Sequence, residues 1–315
     1  MNDSTFQKLE AALGTGRLSR DTNLSVYTTM RTSAQAEAFF EAKSRDELMK
    51  AIEVARQNNI PFFVLGGGSN LALVSQVVKG LVIRNTYQSK KIIEEDKNTA
   101  LVEISSGYVI NRLVAELDSA GLSGFEYHMG LPGTLGGALY MNSKWTNPVC
   151  YTGDDLVYAH LLTKTGEIKK VDRDYFQFGY DQSILQQTGE IVLEATFRLK
   201  KMDPSVLKSR SKDALLYRSK TQPTGVHTSG CTFRNISPEV MKTHGLPTQS
   251  AGYLVDQAGF KGRKVGDYHV STHHANFIIN EGHGDPSDLK TLISEITRAV
   301  KEKFDIELTP EVVVV

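Results

Sequence analysis

Phe62-Phe63-Val64-Leu65-Gly66-Gly67-Gly68-Ser69-Asn70 runs from four apolar residues straight into three glycines. Four apolar residues after Pro61 predict a short buried strand, and three glycines stop it at once. Upstream, Ser44-Arg45-Asp46-Glu47 is a capping box, and Leu48, Ala51, Ile52 and Ala55 recur at helical spacing, which predicts a helix over Arg45–Gln57. The order is therefore helix, strand, glycine loop. Glycine tolerates the left-handed geometry that turns successive backbone N–H groups into one anion-binding concavity, so phosphate or pyrophosphate is its natural guest. The same run also suits a plain glycine turn. It is not G-x-G-x-x-G, and no helix signal follows Asn70, so the helix-dipole form of dinucleotide binding is not expected.

A second cluster, Gly130-Leu131-Pro132-Gly133-Thr134-Leu135-Gly136-Gly137-Ala138, packs four glycines into eight residues and runs on to Met141-Asn142. Such density lets backbone approach a flat ligand closely. Two glycine loops of this kind suit one long ligand with a phosphate centre and a ring at one end, the shape of a flavin dinucleotide.

Around these loops the chain mixes strands and helices without a regular βαβ repeat. β-Branched runs predict strands at 80–83, 101–105, 156–162 and 191–199, and residues 108–119 read as a helix. Asp203-Pro204 and Asp285-Pro286 each open a helix, the second with Leu289, Leu292, Ile293, Ile296, Val300 and Phe304 on one face. Residues 252–258 suit a short helix, 277–280 a strand and 311–315 a closing strand. A length of 315 residues exceeds what one core usually supports, so two or three lobes are expected, with a boundary near Lys201. Lys plus Arg and Asp plus Glu both total 36, leaving no global field to recruit nucleic acid or anionic lipid. Two cysteines, Cys150 and Cys231, fit a reducing compartment, and the first 20 residues lack the apolar run of an export signal, so a cytoplasmic protein with no membrane span is expected. His273-His274, with His269 and His283 nearby, has no metal-ligand spacing; adjacent histidines on a strand would point to opposite faces, and no metal is expected.

The two glycine loops, with Ser271-Thr272-His273-His274-Ala275-Asn276-Phe277-Ile278-Ile279-Asn280, Gln222-Pro223, Gly230-Cys231-Thr232-Phe233 and Ala258-Gly259-Phe260-Lys261-Gly262, together resemble the UDP-N-acetylenolpyruvoylglucosamine reductase family. The resemblance runs in family order from about Thr28 to Glu311, and the short interval between Ser183 and Ile191 resembles the compact subgroup. It implies an α+β fold: a two-lobed FAD-binding domain of the vanillyl-alcohol-oxidase/PCMH type over 24–200, with lobes of about 24–90 and 91–200, then a C-terminal α+β substrate-binding domain over 201–315. It also implies FAD and NADPH as cofactors, a UDP-sugar as substrate and a working monomer. In that family hydride passes from NADPH by way of FAD to an enolpyruvyl ether, one enzyme group supplies a proton, and the product serves peptidoglycan precursor synthesis.

Carried over residue by residue, the resemblance places cofactor contacts at Leu65, Gly66, Gly67, Gly68, Ser69, Asn70 and Leu71, and at Gly130, Pro132, Gly133, Thr134, Gly136 and Gly137. Cys231 falls where the family has its proton-donating serine or cysteine, and a thiol, with an ordinary pKa of about 8.5, holds its proton at neutral pH. Glu311 matches the carboxylate set against the substrate's enol end.

Three departures bear on substrate chemistry. Where the family has Tyr-Arg-x-Ser, with the arginine stabilising the enolate, this chain has Tyr180-Asp181-Gln182-Ser183. Arg218, Lys220 and Arg234 are the cations available to replace it from other positions. After Asn142 the family continues with small residues, whereas Ser143-Lys144-Trp145-Thr146-Asn147 brings bulk, and Ser33-Ala34 lacks the paired glycines often found there. The alternative to the reductase is thus a flavin-binding member that has lost the activity or turned it to another sugar nucleotide.

Overall fold

Ser44 caps the helix Arg45–Gln57 as its sequence predicts, its Oγ accepting from the Glu47 N–H at 3.2 Å. The reciprocal half of the capping box does not form. Glu47 instead accepts from Lys43 N–H at 2.7 Å and from the Arg17 guanidinium at 3.0 Å, tying the helix entry to the N-terminal region. The computed structural model describes residues 1–315. They divide into two compact units, one of residues 1–19, 38–67 and 80–218, the other of residues 20–37, 68–79 and 219–315.

The first unit has two cores. In one, the predicted stripe Leu48, Ala51, Ile52 and Ala55 packs on Phe40, Leu81 and Ile83, joined by Leu9 and Leu13 of the helix Asp3–Leu13. Burying each such leucine or isoleucine contributes about 1.5–3 kcal/mol. The strand Phe62–Leu65 has its predicted bounds and runs parallel to 81–84 within a four-stranded sheet, because its apolar residues sit under this helix layer. The helix Asp3–Leu13 is absent from the sequence reading; with only Leu9 and Leu13 buried, its apolar stripe is too thin to show as periodicity.

The other core of this unit lies between an antiparallel sheet and the helix Ile110–Ser119. The sheet runs Ile168–Asp172, Leu156–Leu162, Ile191–Lys201, Thr99–Ser105, Lys90–Glu95. One face carries Val102, Ile104, Ala195 and Phe197 against Leu113, Val114 and Leu117. The period-two alternation of strands and the 3.6-residue period of the helix meet there. The helix starts at Ile110 rather than 108, since Tyr108 is held in the preceding turn by its N–H to Ser105 O at 3.1 Å.

In the second unit, Pro286–Phe304, capped by Asp285, lays Leu289, Leu292, Ile296 and Val300 on Leu254 and Val255 of the helix Ala251–Gln257 and on the sheet Lys264–Val265, Tyr268–Val270, Ile278–Asn280. Buried Tyr268 finds the polar partners its hydroxyl needs, bonding Thr32 Oγ1 at 2.9 Å and Gly284 O at 3.0 Å. The closing strand is shorter than expected: only Val313–Val314 pairs, parallel to Leu71–Ala72. His273 and His274 are not on a strand. Ser271 Oγ accepts both of their N–H groups, at 3.1 and 3.2 Å, and this turn delays the strand until Ile278.

Candidate active site

The strand Phe62–Leu65 delivers Gly66 and Gly67 directly onto the second glycine loop. A Cβ on Gly67 would stand 2.5 Å from Gly133 Cα, so the two loops meet backbone to backbone and only glycine fits. A Cβ on Gly66 would stand 2.5 Å from Thr134 Oγ1. Thr134 then precedes the helix Leu135–Met141, which the sequence did not announce because Gly136 and Gly137 lie inside it. Gly136 N–H donates to Ser106 O at 2.8 Å, Gly130 N–H to Asn111 Oδ1 at 2.7 Å, and Ile110 N–H to Gly133 O at 3.1 Å. Pro132 leads into Gly133, and Leu65 is buried at the end of its strand.

The loop continues into the second unit at Gly68, which takes φ +61° and passes close to Tyr27 and Thr28. Thr29 N–H donates to Gly68 O at 3.1 Å. After Ser69, Asn70 Nδ2 donates to Glu311 O at 3.1 Å, and Leu71 pairs in register with Val313 while its carbonyl accepts from Ser229 Oγ at 2.6 Å. Beside this loop the Thr28 and Thr29 hydroxyls are buried with no hydrogen-bond partner. Orphaned buried hydroxyls of this kind suit a phosphate; taken by itself, the first unit's glycine cradle, closed to any Cβ, fits the close approach of a flavin dinucleotide. In the sequence Thr28 marks only where the family resemblance begins, and the adjacent pair Thr28-Thr29 is the one local signal for these hydroxyls.

Cys231 and Glu311 come together in the second unit. Cys231, after Gly230 at φ +84°, pairs as a bridge with Phe277, and Phe233 pairs with Pro310. Between them Glu311 N–H donates to Thr232 O at 2.8 Å. Glu311 is thus tied by its own N–H to the residue that follows Cys231. Asn276, buried in the segment singled out by sequence, clamps Phe233 by accepting its N–H at 2.9 Å and donating to its carbonyl at 2.8 Å. Cys150 belongs to the first unit, where burial, with Asp154 adding to it, pushes its thiol up to about 12.

Asp181 sits in a tight turn of the first unit, Gly179 bridging Gln182. Its φ is +50°, a left-handed conformation that aspartate tolerates better than most residues, and its carbonyl accepts from Gln186 Nε2 at 3.0 Å. Ser183 Oγ donates to Tyr140 O at 2.7 Å, fastening this turn to the helix Leu135–Met141. Of the expected replacement cations, Arg218 stacks over Trp145 at 4.7 Å and donates to Met129 O at 3.3 Å, burial lowering its guanidinium to about 10. Lys220 is exposed, and Arg234 holds Thr309 O through its backbone N–H at 2.9 Å.

A flavin-binding, α+β oxidoreductase is the class that this fold and these loops define, and comparison with known proteins agrees. Residues 36–172 match the FAD binding domain model, and residues 222–315 match the model of the UDP-N-acetylenolpyruvoylglucosamine reductase C-terminal domain. UDP-N-acetylenolpyruvoylglucosamine reductase of Trichormus variabilis is 33% identical, covering 92% of this chain and 83% of its own length. That of Chlamydia felis is 34% identical, covering 92% and 91%. The crystal structure of UDP-N-acetylenolpyruvylglucosamine reductase from Thermus caldophilus superposes with a TM-score of 0.74 at 29% identity, over 94% of this chain and 97% of that one. The chain belongs to the UDP-N-acetylenolpyruvoylglucosamine reductase family.

Proposed function

We propose that this chain carries out the NADPH-dependent, FAD-mediated reduction of UDP-N-acetylglucosamine enolpyruvate to UDP-N-acetylmuramate, a step of peptidoglycan precursor synthesis. The observation that carries the reading is that the Glu311 N–H donates to the carbonyl of Thr232, the residue after Cys231, which brings the two segments side by side. FAD, when bound, supplies the hydride chemistry. Gly66, Gly67, Gly133 and Thr134 would shape its cradle in the first unit. Cys231 would hold the proton for the carbon next to the one that takes the hydride, and Asn276 clamps the segment that carries it through Phe233. Glu311, its backbone held from both sides by Thr232 and Asn70, presents its carboxylate at a fixed position at the enol end. On this reading residues 24–200 hold the flavin and 201–315 present the substrate. No helix is long and apolar enough to cross a membrane. Two cysteines in 315 residues support a reducing, cytoplasmic setting, and we take the working unit to be a single chain.

Asp181 favours one second reading, a flavoprotein turned to a different enol acid or sugar nucleotide, because a carboxylate repels a developing enolate. Stopped-flow absorbance decides between them. The bound flavin should bleach with NADPH and recover its colour on adding the enolpyruvyl sugar nucleotide. Reduced flavin that ignores that compound up to millimolar concentration defeats the reductase and favours the second reading.

A further inference from the structure

We propose that Tyr108 is a positioning residue for the flavin: its side chain, bonded to Glu116, sets the turn that holds the second glycine loop. This rests on the flavin cradle of the function proposed above and adds to it a residue outside both glycine loops. Every residue involved belongs to the first unit. The turn over 106–110 lies alongside 133–136: Gly136 N–H donates to Ser106 O at 2.8 Å, Leu135 N–H to Tyr108 O at 2.9 Å, and Ile110 N–H to Gly133 O at 3.1 Å. Val109 forms a bridge with Thr134 between the last two. Gly133 is the residue whose backbone Gly67 meets, so the place of this cradle wall follows from the turn.

The two ends of the turn are held differently. At the first, Ser106 N–H donates to Leu193 O at 2.9 Å and Asn85 Nδ2 to Ser106 Oγ at 2.9 Å, and a Cβ on Gly107 would stand 2.5 Å from Tyr87 O. At the second end, which bears on Gly133 and Leu135, the anchor beyond the Tyr108 N–H to Ser105 O bond is the Tyr108 side chain. Its ring is buried in the core between sheet and helix, and its hydroxyl donates to Glu116 Oε2 at 2.6 Å. A core tyrosine needs such a partner. Glu116 is itself fixed, accepting from Lys90 Nζ of the strand Lys90–Glu95 at 2.5 Å and from Arg112 Nε at 2.8 Å. Hydrogen bonds to an ionised carboxylate are short and strong, and this one keeps both groups in the required form at neutral pH. Lys90, Tyr108 and Arg112 hold the Glu116 carboxyl down to about 2, while burial, with Glu116 adding to it, pushes the Tyr108 hydroxyl up to about 12. Tyr108 acts through its carbonyl and through Ile110, which makes it a positioning residue. A site misplaced by about 1 Å loses much of its fit, so the anchor of a cradle wall bears on the ligand held there.

Titration of the full-length protein, freed of flavin, with FAD tests this, followed by quenching of the flavin fluorescence and by the visible circular dichroism of the bound ring. Tyr108→Phe keeps the ring in the core and removes only the hydroxyl. It should weaken FAD by about fivefold to tenfold and alter the dichroism of the bound flavin. Glu116→Leu should do the same, whereas Glu116→Gln, whose amide oxygen still accepts from the hydroxyl, should bind FAD within about twofold of wild type. The double variant Tyr108→Phe/Glu116→Leu should bind no more weakly than the weaker single one, because both remove one bond. A Tyr108→Phe protein with a lowered urea midpoint but wild-type FAD affinity and dichroism overturns the proposal, since Tyr108 would then serve stability alone. Where Tyr108→Phe does not fold, the Glu116 pair decides: weaker binding in Glu116→Leu than in Glu116→Gln supports the role, and equal binding in the two overturns it. All these failures leave the reductase reading intact. A wild-type protein that takes up no FAD overturns the flavin cradle itself, and the reductase reading with it.

Discussion

Cys231 and Asp181 carry opposite implications at the scale of single residues. Cys231 stands one residue from the carbonyl that Glu311 N–H reaches, on a segment clamped by Asn276 through Phe233, and the proposed proton-donor role makes a kinetic prediction. Cys231→Ala should leave flavin reduction by NADPH almost untouched and slow reoxidation by the enolpyruvyl substrate by about 10²-fold or more, with Cys231→Ser retaining part of the rate. Equal loss in both half-reactions would mark Cys231 as packing instead. Asp181 matches the family's arginine in sequence, but its backbone at φ +50° is one that a long side chain adopts at a cost of about 1 kcal/mol or more. Asp181→Arg is therefore expected to lower the urea midpoint and bring no gain in reoxidation. A faster reoxidation in that variant would show that the activity was lost by this substitution alone.

At the scale of elements, the glycine loops matter because they touch. Gly67→Ala must push its loop off Gly133, where the hypothetical Cβ stands 2.5 Å from backbone, at a cost of about 1–3 kcal/mol shared between loop stability and cofactor affinity. The flavin-to-protein absorbance ratio after gel filtration should fall in that variant, whereas Gly166→Ala, in a turn with nothing within 4 Å of its own Cβ, should keep its flavin. Bounds of the helix Arg45–Gln57 and the strands Phe62–Leu65 and Leu156–Leu162 were legible in full, since caps, apolar periodicity and glycine stops act over a few residues. The helix Leu135–Met141 was not: two glycines inside it hide the helical signal, and its support comes from Ser106 and Tyr108, far back in the chain.

Across the whole molecule, acid stability should reveal the core of the first unit. His128 is buried there, its Nε2 facing Ser143 O at 3.2 Å and its Nδ1 without a partner, and burial lowers its pKa from the ordinary 6.5 to about 4. A folded pKa below the unfolded one means that the fold favours neutral imidazole; this stabilisation, roughly 3 kcal/mol, is complete above pH 6.5 and is lost as pH falls from there towards about 4. Trp145, the single tryptophan and a residue of the same unit, reports it. Urea midpoints followed by its fluorescence should drop over that window and flatten in His128→Gln, while Glu116, held down to about 2 by Lys90 and Tyr108, acts only at lower pH. An unchanged slope in His128→Gln would remove His128 from the account. The fold class, the two glycine loops and the family are readable from the residues alone, because each is written in contiguous residues whose local physics or order needs no distant partner; for Cys231 and Glu311 the sequence offers candidates. Only the packing of the folded chain shows that Gly67 meets Gly133, that Glu311 bonds the residue after Cys231, and that Thr28 and Thr29 keep buried hydroxyls beside Gly68. Each of these joins segments far apart in the chain, and such contacts depend on packing that no local pattern encodes.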